Sequence, residues 1–330
     1  MIATTDIFTI SSQKQFEKIA LKVFRFQYEN NLVYKEFCDF LKIEVQKVKS
    51  LEQIPFLPIQ FFKSHKVVSS NPETSGLIQK TFTSSGTTGM ATSKHFVTDS
   101  TLYEESYRKG FSHFYGNIED YVVLALLPSY LEREGSSLIY MVEDLIKMTG
   151  NFESGYYLYN HQELIEKLIR LDHSGQNVIL IGVTYALLDL IEKHTFQLKN
   201  TIIMETGGMK GKRKEMIREE LHEQLCQGFD VTAIHSEYGM TELLSQAYSL
   251  GNGVFECPSW MQILVRDTED ALAYVAFGKS GGINVIDLAN INSCSFIATQ
   301  DLGKKNPNNS FEVMGRFDNS DIRGCNLMVL

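Results

Sequence analysis

The sequence lacks several common signatures, and each absence excludes a class of protein. Its five cysteines are odd in number, widely spread and never spaced C-x-x-C, which argues against zinc ribbons and disulfide frameworks. The patterns G-x-x-x-x-G-K-[ST] and G-x-G-x-x-G are both absent, so neither a Walker-type loop nor NAD binding is expected. The 40 acidic residues outnumber the 31 basic ones, which gives a net charge of −9. This charge disfavours binding to nucleic acid or anionic membrane.

Long apolar runs are also missing. The longest, VILIGVTYALLDLI at 178–191, is too short to span a bilayer and is interrupted by Thr184 and Asp189. The first ten residues have no basic region and include Asp6, so no signal peptide is expected. These features, with reduced cysteines, predict a cytoplasmic protein without a membrane span.

From residue 120 onwards, apolar runs alternate with amphipathic segments. The runs at 121–128, 177–182, 201–208 and 231–239 predict buried strands, and the segments between them predict helices. This alternation is typical of an α/β fold with a mostly parallel sheet and helices on both faces. After about residue 250, glycine turns between short apolar segments predict a smaller β-rich subdomain.

The N-terminal part is predicted to be helical, with amphipathic helices over 12–29 and 34–48. The chain is therefore divided into four predicted parts. These are an N-terminal helical segment packing on the core (1–80), an α/β core (81–250), the β-rich subdomain (251–315) and a C-terminal tail (316–330).

Polar, glycine-rich segments follow the predicted strands of the core. They are LPSY (127–130), GVTY (182–185), ETGGMK (205–210) and HSEYGMTE (235–242). Because the carboxyl ends of parallel strands open on one edge of a sheet, and ligands bind there, one crevice lined by all four segments is the predicted site.

A further segment, FTSSGTTGMATSKHF at 82–96, combines two glycines with many hydroxyl groups and Lys94. Serial backbone N–H and hydroxyl groups can bind a polyphosphate without adding bulk, and Gly86 and Gly89 permit positive φ and close approach. The segment predicts a phosphate-binding loop, with an ordinary surface hairpin as the alternative.

Four more motifs follow this loop in order: GGMK (207–210), YGMTE (238–242), TQD (299–301) and GRFD (315–318). The series resembles the adenylate-forming superfamily of acyl-CoA synthetases and adenylation domains. The closest likeness is to the acyl-protein synthetases, which activate fatty acids for the bacterial bioluminescence reductase. IPFLPIQFFKSHKV (54–67) and RGCNL (323–327) carry that closer likeness.

The resemblance implies the fold of the large N-terminal-type domain of these enzymes and the use of ATP and Mg²⁺. A carboxylic, and by this likeness fatty, acid would be converted to an acyl adenylate with release of pyrophosphate. Because the attacking carboxylate and the triphosphate are both anionic, catalysis would consist mostly of positioning and electrostatic screening.

The resemblance also assigns roles to the motif residues, and Lys94, Glu242 and Arg316 are the catalytic candidates for this first half-reaction. The β- and γ-phosphates would be held by Thr83, Ser84, Ser85, Gly86, Thr87, Thr88 and Gly89, assisted by Lys94. The adenine and α-phosphate would be held by Gly207, Gly208, Tyr238, Gly239 and Thr241. Glu242 would help to hold Mg²⁺, and Asp301, with Arg316 nearby, would bind the ribose.

Candidates for the acid pocket are Gly182, Val183 and His235, although a histidine at a strand end often has a structural role. Two positions depart from the family pattern, because Ser93 replaces the usual proline before the lysine and Gln300 replaces the glycine of T-G-D. The small C-terminal domain with the catalytic lysine is expected to be absent, so that Lys94 or Arg323 would supply charge at the α-phosphate.

The second half-reaction needs a nucleophile, and thiolates attack acyl adenylates well. By the resemblance, Cys325 is the acceptor, and nearby Arg323 could lower its pKa; the alternative is a small apolar filler. Two rival functions stay open: an acyl-CoA or acyl-carrier ligase of the phenylacetate–CoA ligase type, and a non-catalytic subunit that binds nucleotide or acyl ligand. The expected partner is an acyl-CoA reductase-type protein, an acyl carrier or CoA.

Overall fold

The computed structural model describes residues 4–69, 77–84, 92–128, 134–207, 213 and 216–317. Its α-helices are Thr4–Ile7 (α1), Gln13–Asn30 (α2), Leu32–Phe40 (α3), Phe61–Ser64 (α4), Ser100–Tyr115 (α5), Ser137–Met148 (α6), His161–His173 (α7), Thr184–Lys193 (α8) and Arg218–Phe229 (α9). None of these described helices is long and apolar enough to cross a bilayer.

The strands in the described part of the chain are numbered in chain order. They are Leu57–Pro58 (β1), Lys80–Thr83 (β2), Lys94–Val97 (β3), Val122–Leu126 (β4), Gly155–Tyr157 (β5), Val178–Val183 (β6), Thr201–Thr206 (β7), His235–Tyr238 (β8), Ala247–Ser249 (β9), Val254–Glu256 (β10), Met261–Arg266 (β11), Ser280–Asp287 (β12), Phe296–Lys305 (β13) and Phe311–Arg316 (β14). The chain divides into two units, Gly76–Pro258 and Met1–Ser75 with Ser259–Leu330.

In the unit Gly76–Pro258 the strands follow the order β10-β9-β8-β7-β6-β4-β5. The pairs from β5 to β8 are parallel, whereas β9 and β10 are antiparallel additions. Strands β4 and β6 are buried at every position, as expected for parallel strands covered on both faces. The predicted mostly parallel α/β sheet is confirmed.

Alternate residues of these strands point to opposite faces, and helices cover both. On one face, Phe111 of α5 and Met141 of α6 line a cavity together with Ile181 and Met204 of the sheet. On the other, Gly182 lies so close to Leu187 of α8 that an added Cβ would come within 2.7 Å of its side chain. The strand ends that carry the predicted motifs are therefore held between two layers of helices.

In the second unit, β11, β12, β13 and β14 form an antiparallel series, and β1 runs parallel to β13 with Leu57 beside Ile297. Helix α2 is tied to the segment before β13 by the buried side chain of Gln27. Its Nε2 donates to the carbonyls of Ile291 at 2.9 Å and Asn290 at 3.1 Å. Its Oε1 accepts from the N–H of Ser295 at 3.0 Å.

Two predicted helices have different bounds in the structure. The helix predicted over 34–48 is wrong in its second half, because α3 ends at Phe40. Lys42 then adopts a φ of 56°, and the N–H of Ile43 donates to the carbonyl of Cys38 at 3.0 Å. The helix thus ends with a residue in the left-handed conformation. The sequence does not show this ending because the residue is not a glycine. The helix predicted between the runs at 201–208 and 231–239 covers only part of that interval, Arg218–Phe229.

Candidate functional site

The segment predicted to bind phosphates emerges from a two-stranded hairpin, β2 and β3, in which Thr83 pairs with Lys94. Beyond this pair, the N–H of Ser84 donates to the carbonyl of Ser93 at 3.1 Å. The N–H of Ser93 donates to Ser84 Oγ at 2.9 Å. The loop therefore has a closed stem, while part of the predicted phosphate site lies outside the described residues, namely Ser85, Gly86, Thr87, Thr88 and Gly89.

Ser93 is the position at which the family usually carries proline. Proline has no N–H to donate, so it could not make the hydrogen bond that Ser93 makes to Ser84. This departure from the family pattern thus has a structural reason in this chain, since the stem of the loop is closed by that bond.

The stem is also fixed to the segment before α6. The N–H of Thr83 donates to the carbonyl of Gly135 at 2.8 Å, and Thr83 Oγ1 donates to the carbonyl of Glu134 at 3.2 Å. Gly135 has a φ of +78°, and an added Cβ would come within 2.9 Å of Thr83 Oγ1. Glycine is therefore required there both for its conformation and for space.

His95 joins the stem to a second motif 146 residues away. The side chain is fully buried, and its Nδ1 lies 2.8 Å from the carbonyl oxygen of Thr241. A carbonyl oxygen only accepts, so Nδ1 carries the proton and donates. The strand that carries Lys94 is thereby held against the turn that carries Thr241 and Glu242, and two predicted motifs meet in space.

That turn follows β8. Tyr238 is buried and packs edge-to-face on Phe255 at a centroid distance of 5.9 Å. Gly239 comes next, and a Cβ at this position would collide with the Glu237 carboxylate. Glu242 is only 5% exposed and Thr241 is half-buried. The turn is therefore largely shielded from solvent.

Glu242 fits a role in holding magnesium. Its carboxylate is a hard oxygen ligand of the kind Mg²⁺ prefers, and Mg²⁺ commonly binds through one or two carboxylates together with substrate phosphates. The described residues contain no cluster of three or more His, Cys, Asp or Glu side chains suited to a metal ion.

The end of β7 lies beside the start of α8. Thr184 Oγ1 donates to the carbonyl of Gly207, which has a φ of +72°. Val183 is the N-cap of α8. Gly207 is thus part of the same sheet edge as Gly182 and Val183, whereas Gly208 lies outside the described residues.

A buried charged cluster supports β7 on the face that also carries Tyr238. Arg218 donates to Glu205 at 2.5 Å and lies over the ring of Phe255 at 5.1 Å. Burial raises the pKa of the Glu205 carboxyl, but the hydrogen bond from His222 and the charge of Arg218 outweigh it, and the pKa is lowered overall. Glu205 and Arg218 are not predicted from the sequence, because their pairing depends on packing between a strand and a helix.

The opposite face of β8 carries His235 and Glu237. His235 Nδ1 is in hydrogen-bond contact with the hydroxyl of Tyr115 at 3.2 Å, and burial lowers its pKa. Thr206 Oγ1 donates to Glu237 at 2.6 Å. Burial raises the pKa of Glu237 to about 7. His235 is among the residues predicted from the sequence and Glu237 is not, although the alternation of a strand places both on one face.

Two further predicted residues belong to the second unit. Asp301 and Arg316 are paired across β13 and β14, and Arg316 Nε donates to Asp301 Oδ1 at 3.0 Å. The structure thus brings these two side chains together, with Asp301 buried and Arg316 mostly exposed. Cys325 lies outside the described residues.

Replacing His95 tests whether the bond to Thr241 positions the site. We expect His95→Ala to lower kcat/KM for ATP by roughly 10-fold or more, because a buried carbonyl loses its donor and the turn shifts. His95→Asn, whose amide nitrogen can replace Nδ1, should recover part of the loss. Exposed His173 on α7 provides the control variant His173→Ala. Equal activity of His95→Ala and His173→Ala would contradict the positioning role.

The family model described as "Acyl-protein synthetase, LuxE" matches residues 1–102 and 149–330. No curated protein sequence matches the chain significantly.

The fold is similar to that of solved ligases. ATP-bound MatB from Rhodopseudomonas palustris has a TM-score of 0.53 at 16% identity, over 72% of this chain and 47% of MatB. 2-Hydroxyisobutyryl-CoA ligase in complex with 2-HIB-AMP and CoA has a TM-score of 0.65 at 14% identity, over 96% of this chain and 71% of the ligase. The chain thus spans about half of MatB, and its fold is that of adenylate-forming enzymes.

Proposed function

Because the chain belongs to the acyl-protein synthetase (LuxE) family, we propose that it activates a carboxylic acid with ATP. The carboxylate oxygen attacks the α-phosphorus of ATP, the bond to the β-phosphate oxygen breaks, and pyrophosphate leaves with its electron pair. The products are an acyl adenylate and pyrophosphate. The family likeness favours a fatty acid as the substrate.

The observation that carries this proposal is the hydrogen bond from His95 to Thr241. It holds the hairpin carrying Thr83, Ser84 and Lys94 beside the turn carrying Thr241 and Glu242. A triphosphate that binds to the loop of this hairpin would therefore lie near Glu242. Two anionic reactants approach each other only where positive charge and N–H dipoles screen their repulsion, and Lys94 and the backbone N–H groups of residues 85–89 would supply these.

The roles of the residues follow from their chemistry. Glu242 would hold Mg²⁺, and the metal supplies positive charge that screens the phosphates. Lys94, exposed at the end of the hairpin, would add a point charge, and Thr241 would donate to the α-phosphate. Tyr238 and Gly207 would bind the adenine, as the family pattern implies.

We further propose that the acyl group passes to the thiolate of Cys325, forming a thioester and releasing AMP. Three of the four described cysteines support this choice by their chemistry. Burial raises the pKa of Cys38 to about 12, and it also raises the pKa values of Cys294 and Cys226. Thiols with raised pKa are poor nucleophiles at neutral pH, so these three are unsuited to the task.

The alternative acceptor is CoA, as in an acyl-CoA ligase. It is favoured by the likeness to 2-hydroxyisobutyryl-CoA ligase, whose structure contains CoA. In both versions the first half-reaction is the same, and an acyl-CoA reductase-type protein or an acyl carrier would receive the product.

Exchange of labelled pyrophosphate into ATP tests the proposed function. Purified protein with MgATP is incubated with single acids from two to sixteen carbons, with and without a hydroxyl group. We expect exchange that depends on one class of acid and on magnesium. If no acid supports exchange and ATP still binds, the chain is a nucleotide-binding subunit and the proposed activity is wrong.

A further inference from the structure

Arg218, the first residue of α9, joins this helix to three strands of the sheet. Its Nη1 donates to Glu205 of β7 at 2.5 Å and to Ser236 Oγ of β8 at 3.2 Å. Its guanidinium lies over the ring of Phe255 of β10, 5.1 Å from the ring centroid. The side chain of Arg218 is only 27% exposed, so these contacts lie largely away from water, where hydrogen bonds to a charged group are stronger.

The turn before β10 leaves space for this arginine. Gly253 has a φ of +65°, and an added Cβ would come within 2.5 Å of Arg218 Cδ. Glu205, whose carboxylate Arg218 neutralises, is only 5% exposed, and a buried carboxylate needs a charged or hydrogen-bonding partner. His222 Nε2 lies 3.7 Å from the same oxygen, Glu205 Oε1. Space and charge together therefore fix the position of Arg218.

Glu205 connects Arg218 to the backbone of Gly207. Thr184 Oγ1 lies 3.4 Å from Glu205 Oε2 and also donates to the carbonyl of Gly207. A hydroxyl group carries one proton, so the carboxylate and the carbonyl share it, and the position of Thr184 depends on both. Because Arg218 holds the other oxygen of Glu205, a change at Arg218 would reach Gly207 through two side chains.

Phe255 connects Arg218 to Tyr238. The rings of Phe255 and Tyr238 pack edge-to-face with 5.9 Å between their centroids, and both are buried. The guanidinium of Arg218 lies over the ring of Phe255, where the attraction between cation and ring holds the two groups together. Tyr238 ends β8 and Gly207 directly follows β7, and these strands are parallel neighbours. One guanidinium therefore supports two residues at the same edge of the sheet.

We propose that Arg218 is a positioning residue for the base of the nucleotide. Through Glu205 it fixes the backbone of Gly207, and through Phe255 it fixes the ring of Tyr238. This inference rests on the proposed function, in which Gly207 and Tyr238 bind the adenine. A displacement of about 1 Å caused by a change far from the reacting atoms can cost roughly 10²-fold in rate, so loss of this support should weaken recognition of the base.

The chemistry of arginine suits this role better than that of lysine. A guanidinium is planar, presents several N–H donors and stacks on aromatic rings, whereas an ammonium is a point charge. Arg218→Lys would keep a positive charge beside Glu205 but could not also cover the ring of Phe255. We therefore expect base recognition by Arg218→Lys to be intermediate between that of the wild type and that of Arg218→Met.

The test compares ATP with inorganic tripolyphosphate, which has a chain of three phosphates but no base. Dissociation constants are measured with magnesium present, for ATP by calorimetry and for tripolyphosphate by competition with ATP. We expect Arg218→Met to raise the constant for ATP by roughly 10-fold or more and to leave that for tripolyphosphate nearly unchanged. Saturation-transfer nuclear magnetic resonance of bound ATP should show a weaker signal from the adenine protons, relative to the ribose protons, than in the wild type.

Arg170 on α7 provides the control, because it is exposed and also forms an ion pair, with Glu153 at 2.8 Å. Arg170→Met should bind both compounds as the wild type does. If Arg218→Met does not fold because Glu205 is left buried and unpaired, the double variant with Glu205→Gln and Arg218→Met takes its place. The inference is overturned by a folded Arg218→Met, or double variant, that binds ATP as tightly as Arg170→Met. Equal weakening of ATP and tripolyphosphate binding would overturn it as well.

Exchange of pyrophosphate distinguishes this inference from the proposed function. If Arg218→Met weakens binding of ATP but not of tripolyphosphate, and no acid supports exchange in the wild type, the positioning role holds and the adenylation reaction is wrong. If acid-dependent exchange has the same KM for ATP in the wild type and in Arg218→Met, the reaction holds and the positioning role is wrong. A wild type that binds no ATP would refute both.

Discussion

Glu242→Gln is expected to lower acid-dependent pyrophosphate exchange by roughly 10²- to 10³-fold, the cost typical of removing one group that stabilises charge in a transition state. Glutamine has nearly the same shape as glutamate but no negative charge. We therefore expect the variant to bind magnesium more weakly while its side chain packs as in the wild type. Raising the magnesium concentration should recover part of the lost rate, because a weakened metal site is filled by mass action.

A matched control is available on β10, where Glu256 is exposed. Glu256→Gln changes the net charge by the same amount and should retain the rate of the wild type. If Glu242→Gln is folded and exchanges as fast as Glu256→Gln, with no change in its dependence on magnesium, Glu242 does not act at the metal.

Cys325→Ser is expected to abolish the covalent acyl label that forms when the protein is incubated with radiolabelled acid and MgATP. A serine hydroxyl is a far weaker nucleophile than a thiolate at neutral pH, because almost none of it is ionised. The label is measured on denatured protein, and a thioester is recognised by its release with neutral hydroxylamine.

The control for this prediction is Cys226→Ser on α9, a half-buried thiol whose pKa burial raises. It should keep the label. A label that survives in Cys325→Ser would place the acceptor elsewhere, and the appearance of acyl-CoA without any labelled protein would favour the CoA-ligase alternative.

Strands of the parallel sheet were predictable because burial on both faces produces continuous apolar runs. The run at 177–182 corresponds to β6, Val178–Val183, and the run at 121–128 contains β4, Val122–Leu126. Helix endings were less predictable, as α3 shows. Its end depends on the positive φ of Lys42. Glycine is the usual residue in this conformation, and the sequence has none at this position.

Contacts between segments that are distant in the chain could not be predicted from the sequence pattern. The bond from His95 to Thr241 joins a side chain to a backbone carbonyl, so no residue type at the second position signals it. The same holds for β1, which pairs with β13 and brings Leu57 beside Ile297. Glu237 is a different case, because its alternation with His235 placed it on the same face and could have revealed it.

The sequence indicates which motif residues are candidates for the site, but the role of each residue is still a prediction. The structure brings the stem residues Thr83 and Lys94 together with the turn of Thr241 and Glu242 through His95. Binding of phosphate by residues 85–89 and acyl transfer to Cys325 concern positions outside the described residues, so these two predictions depend on the experiments above.

A crystal structure with magnesium and a non-hydrolysable ATP analogue would show whether the hairpin and the turn form one nucleotide site. We predict that the triphosphate lies against the loop of the β2–β3 hairpin, with the metal bound to Glu242 and the α-phosphate within hydrogen-bond distance of Thr241. A nucleotide bound elsewhere, or a metal with no contact to Glu242, would contradict it.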